Sequence, residues 1–106
     1  MTTNELILTD YIDSPQVRVF QAIAGTRLEK LRQGQQWSIL TALFKASTVA
    51  KSSGSGFVDT RGALMYLVAS DAPSKCLDVL NGFPTDRVDQ LIGAIEDICN
   101  LRRSMA

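Results

Sequence analysis

The stretch GFVDTRGALMYLVASDAP, residues 56–73, decides the fold. Its centre, ALMYLVA, is an unbroken apolar run, and such a run suits a buried helix or a buried strand equally well. The surroundings settle the choice. A lone strand has no ladder to join, and no second convincing strand exists elsewhere in the chain. Asp59 or Thr60 can cap a helix running to about residue 70, and the flanking segments carry helical periodicity. The expectation is therefore an all-α chain: a small bundle of four to five helices with short turns and a flexible Ser/Gly loop near 52–56.

Downstream, Asp71 and Pro73 restart a short helix through Cys76, Leu77 and Leu80, and Asn81-Gly82 stops it. Pro84-Thr85 opens the last helix. There Val88, Leu91, Ile95 and Ile98 follow at 3-4-3 spacing, Ile92 and Cys99 widen the face, and Arg102-Arg103 complement the negative end of the helix dipole. Upstream, a helix over 35–51 carries two adjacent stripes. Trp37, Leu40, Phe44 and Thr48 form one, and Ile39, Leu43, Ala46 and Ala50 form the other. Together they predict a wide buried face with neighbours on both sides.

Before that, Ser14 and Pro15 are a helix start: the serine can cap free N–H groups, and proline at the first position gives up no useful donor. Val17, Phe20, Ala24, Leu28 and Leu31 then recur every three or four residues. The pattern predicts one helix ended by Gly34, with a kink or a close helix crossing at Gly25, where glycine weakens the interior by ~1 kcal/mol relative to alanine. Thr2 and Glu5 have capping-box spacing. Residues 1–12 read as an N-terminal arm or short helix, and 13–106 as a single helical domain.

Composition fits one domain. A chain of 106 residues can bury roughly two thirds of its unfolded surface, enough for one core. Its 11 basic and 11 acidic residues leave a formal net charge of zero, unlike modules that bind nucleic acid mainly through phosphates. Near-neutrality also favours association. The absence of histidine excludes histidine triads, histidine metal ligands and histidine proton shuttles. Cys76 and Cys99 read as small buried thiols in a reducing compartment. The N-terminus lacks the basic start and apolar core of a secretory signal, and no run of about 18 apolar residues exists to span a bilayer. The expected location is the cytoplasm of a cell or of an infected host.

KSSGSGF, residues 51–57, raises the question of a phosphate loop. A P-loop needs GxxxxGK[ST] between a strand and a helix. Here Lys51 precedes the glycines and no lysine closes the loop, so a mobile connector is the economical reading. Lys45, Lys51 and Arg61 bracket this loop, and Arg27 and Lys30 stand with Arg18 and Arg32 on the first long segment. These residues are the candidates for contact with a nucleic-acid backbone or an acidic partner, although ordinary solvated charge accounts for them too. Asp86 and Asp89 sit in a first helical turn, where the dipole favours carboxylates, and no paired acids suggest general acid/base chemistry. No catalytic, metal or cofactor site is expected. Leu6, Ile7 and Tyr11, with the stripe of Val88, Leu91, Ile95 and Ile98, are candidates for a protein interface.

The reading that follows is a non-enzymatic helical adaptor or subunit. It would act through protein contacts, or as a homo-oligomer, inside a phage-type particle, a chaperone pair or a regulatory complex. The alternative is a small helical accessory of an RNA-guided nucleoprotein complex, touching a strand through the basic positions. Convergence of those side chains on one face separates the two.

Overall fold

The computed structural model of the protein describes residues 6–61 and 74–100. Among them are five α-helices: α1 (Leu8–Tyr11), α2 (Pro15–Ala24), α3 (Gln33–Ser53), α4 (Ser74–Leu80) and α5 (Thr85–Ile98). No strand is present among the described residues, only an isolated bridge between Phe57 and Pro84. The chain is all-α. Of the decisive stretch, Thr60 and Arg61 are helical, while the expected continuation to residue 70, and Asp71 and Pro73, lie outside the described residues. So do the capping pair Thr2 and Glu5, and Arg102-Arg103.

The helices form two packed pairs, α3 with α5 and α2 with α4, and the single turn of α1 lies against both α2 and α5. The core follows from the periodicities. Val17, Phe20 and Ala24 point inward from α2; Ile39, Leu43, Ala46 and Ala50 from α3; Leu77 and Leu80 from α4; Val88, Leu91, Ile95 and Ile98 from α5. Leu8, the first residue of α1, and Ile12, just after its end, are buried with them.

Local chemistry sets the boundaries. The Ser14 hydroxyl accepts from Val17 N–H at 3.2 Å, with Pro15 in the first helical position. Asp10 reaches back to accept from Ile7 N–H at 2.9 Å, giving the short α1 its own cap. Gly54 ends α3 in the left-handed region, with Ser55 N–H donating to the Ala50 carbonyl at 2.8 Å. The helix thus runs two residues beyond the expected stop at Lys51, and the connector shrinks to 54–56. Thr60 ties the segment after this connector to α4: its hydroxyl donates to the Leu77 carbonyl at 2.5 Å and its N–H to Asn81 Oδ1 at 3.1 Å.

The first long helix differs from the sequence expectation. It stops at Ala24 rather than continuing to Gly34. Gly25 adopts φ 102°, ψ 156°, a backbone region that side-chain-bearing residues avoid, and this breaks the helix instead of kinking it. Leu28 still reaches the core, but from a turn, at φ 57°. Gln36 closes that turn from α3, its Nε2 donating to the Leu28 carbonyl at 2.9 Å. Gly34 lies inside α3 near its start.

A Cβ at Gly25 would meet the Glu29 carboxyl carbon at 2.6 Å, and the Glu29 carboxylate is held in place by accepting from Arg27 N–H at 2.9 Å. Gly25→Ala is therefore expected to destabilise the protein by about 1–3 kcal/mol through backbone strain and displacement of this carboxylate. Urea unfolding measures it; an unchanged midpoint would contradict the assignment.

Candidate functional site

The basic candidates do not form one strip. Lys51, in the last turn of α3, donates to Asp89 Oδ2 on α5 at 2.7 Å. Arg61 lies 3.4 Å from Asp78 Oδ1 on α4. Arg27 sits in the turn between α2 and α3, not on a helix, and its guanidinium is spent on backbone. One amino group donates to the Leu6 carbonyl and the other to the Ile98 carbonyl at 3.5 Å. Lys30 is exposed in the same turn, and Lys45 is exposed on α3. Arg18 makes a two-pronged contact with Asp13 at 2.7 and 2.8 Å, which holds the Asp13 carboxyl below its usual range and raises the guanidinium. The pairs Lys51–Asp89, Arg61–Asp78 and Arg18–Asp13 thus each join a cation to an acid on the chain itself.

The interface candidates divide. Leu6 is exposed, and Ile7 and Tyr11 are half-buried. Tyr11 is tied down at both ends: its hydroxyl donates to Asp97, and its carbonyl accepts from Gln90 Nε2 at 2.8 Å. Val88, Leu91, Ile95 and Ile98, in contrast, lie in the chain's own core. The 3-4 stripe of α5 thus faces the packed helices, and these four side chains are not exposed as a partner-facing stripe would be.

The surface that reading the sequence missed is on α3. Its second stripe, Ile39, Leu43, Ala46 and Ala50, is buried as expected, but the first is not. Only Leu40 of that stripe turns inward, whereas Trp37 is 39% and Phe44 48% exposed. These aromatics are seven residues apart, two helical turns, and share a face with the exposed Thr41 and Thr48. The signal was present: centring a helical wheel on the aliphatic stripe places Trp37, Thr41, Phe44 and Thr48 on the opposite side. Reading two adjacent stripes as one wide apolar face hid it, because Leu40 of the first stripe is itself buried beside the second. Thr41 Oγ1 donates to its own helix at the Trp37 carbonyl, 2.8 Å away, so its polar group is satisfied while its methyl remains available.

At the C-terminal end of α3, an open depression of about 620 Å³ is lined by residues including Lys51, Phe57, Pro84, Thr85 and Asp86. Phe57 is the most exposed large apolar residue described, at 65%. Thr85 Oγ1 is buried there without a hydrogen-bond partner. The outward backbone groups of Phe57 are closed off by Ser55, whose hydroxyl accepts from Phe57 N–H at 3.2 Å and donates to its carbonyl at 2.8 Å. This exposed edge is therefore not open for strand addition.

Burial raises both thiols, that of Cys99 to about 11 despite an opposing pull from Arg27. Among the described residues no group of three His, Cys, Asp or Glu side chains is placed to hold a metal ion, and no helix is long and apolar enough to cross a membrane. No protein family, curated protein or solved structure matches the chain.

Two outcomes test these assignments. Arg27→Ala removes the donors to two backbone carbonyls and is expected to cost about 1–2 kcal/mol, whereas Lys51→Ala loses one exposed ion pair and should cost less than about 1 kcal/mol. Equal costs by chemical denaturation would contradict the clamp. Thiolate-specific labelling of native protein near pH 8 should leave both cysteines largely unmodified and become fast on unfolding, since their raised pKa values suppress the reactive form. Rapid native labelling would contradict their burial.

Proposed function

We propose that the protein is a non-enzymatic helical adaptor or subunit that works by protein contact, through the outward face of α3. The observation that carries this reading is the exposure of Trp37 and Phe44, two turns apart on one face of the longest described helix. Scattered exposed apolar side chains are ordinary, but two large aromatics aligned on one helical face are less so, and aromatic residues dominate binding energy at protein interfaces. Thr41 lies between them on that face and Thr48 one turn beyond Phe44, both exposed, and α3 carries no acidic residue. Helix-in-groove or helix-on-helix docking suits such a face.

The alternative, contact with a nucleic-acid backbone, finds less support. Arg27, Lys51 and Arg61 are on separate elements and each is engaged within the chain.

The test compares the protein with a Trp37→Ser/Phe44→Ser variant, both immobilised and exposed to extract from the native source, with mass-spectrometric identification of what is retained. Circular dichroism confirms that the variant folds. The expected result is a defined protein retained by the first and lost, by at least about tenfold, from the second. Identical retention by both, or none by either, overturns the reading. Retention of the protein on heparin that weakens steeply as salt rises from about 50 to 200 mM would favour nucleic acid instead.

A further inference from the structure

The outward face of α3 has a property that contact with an arbitrary partner does not require: it is complementary to itself. Continuing the spacing of Trp37, Thr41, Phe44 and Thr48 by one step at each end adds Gly34 and Lys51, both exposed. The six positions follow a 3-4-3-4-3 rhythm, the spacing of a two-helix seam. Large and small residues alternate along it. If the helix is laid against a reversed copy of itself, centred between residues 42 and 43, Trp37 falls opposite Thr48, Phe44 opposite Thr41, and Lys51 opposite Gly34. Every large side chain meets a small one. A parallel pairing instead stacks Trp37 on Trp37 and Phe44 on Phe44 and leaves gaps at the glycine and threonine layers.

We infer that the occupant of this face is a second copy of the chain, packed antiparallel through α3. The inference rests on the contact reading above and names its partner. Three further observations agree with it. Gly34 is not explained by the chain's own fold: it lacks a positive φ, and a Cβ built there meets nothing within 4 Å, yet a neighbouring helix at a seam benefits from its small size. The Thr41 hydroxyl is already bonded within α3, so burying this layer strands no polar group. Lys51 is neutralised by Asp89, so its methylene stem can lie across a partner's glycine without an unpaired charge, and the chain's zero net charge puts no long-range repulsion between copies.

A single helix pair is a small interface, below about 1,200 Å² in total, so association in the micromolar range is expected. Sedimentation equilibrium over about 1–300 µM should show a monomer–dimer equilibrium. Phe44→Ser should weaken it at least about tenfold without loss of helicity, the size of a hot-spot truncation. Raising salt to about 0.5 M should not dissociate the dimer, because the pairing relies on no ion pair between the two copies. Orientation is read by disulfide trapping in a Cys99→Ala background. Gly34→Cys and Lys51→Cys chains should cross-link to each other when mixed and oxidised, and Gly34→Cys alone should not. A monomer throughout the concentration range overturns the inference, as does a dimer indifferent to Phe44→Ser. So does Gly34→Cys cross-linking to itself in place of the mixed pair. The wider contact reading has a separate fate: a monomer that still retains a defined partner through Trp37 and Phe44 sinks the self-pairing alone.

Discussion

The structure depends on the burial of α5 against α3. Val88, Leu91, Ile95 and Ile98 are the inward face of one helix, Ile39, Leu43, Ala46 and Ala50 that of the other, and none is more than slightly exposed. Apolar burial at about 25 cal/mol per Å² makes such a contact a principal source of stability in a chain whose two cysteines are both free. The other packed elements are arranged around it. α1 is too short to persist alone, and it is held because Leu8 and Ile12 join the same core and Tyr11 is fixed to α5 through Gln90 and Asp97. α2 and α4 pack on each other, and Gln16 of α2 reaches the end of α4, its Nε2 donating to the Val79 and Asn81 carbonyls at 2.6 and 3.0 Å.

Much of this was legible in the residues. Helix starts at Ser14-Pro15 and Pro84-Thr85, and the stop at Asn81-Gly82, follow from chemistry confined to a few neighbouring residues. So do the inward stripes of α2 and α5. What was not legible depended on tertiary context. The 3–4 recurrence continued through Leu28 and Leu31 because both side chains point toward the core, but they do so from a turn, and periodicity records burial rather than backbone form. Gly25 was visible as a weak point, yet only its backbone at φ 102° shows why glycine is required there, and that angle is set by the turn that follows.

The candidate site was legible in its parts and not in its assembly. Lys51, Arg61 and Arg27 are unremarkable cations in one dimension, and their partners, Asp89, Asp78 and the Leu6 and Ile98 carbonyls, are distant in sequence. Conversely, Trp37 and Phe44 look like core residues because large aromatics usually are. Their exposure becomes apparent only when the aliphatic side of α3 is seen to be fully occupied by the core. A helix buries one stripe well, and α3 carries two, of which its own chain uses one.

The Arg27 clamp has a consequence for how the molecule can be handled. A single guanidinium touches the backbone at Leu6 and at Ile98, so the chain enters and leaves the described bundle at adjacent points on one pole. A short bridge between those points would close the backbone into a ring, and the solvent-facing glycine turn at 54–56, whose three residues are all exposed, offers a place to open it again.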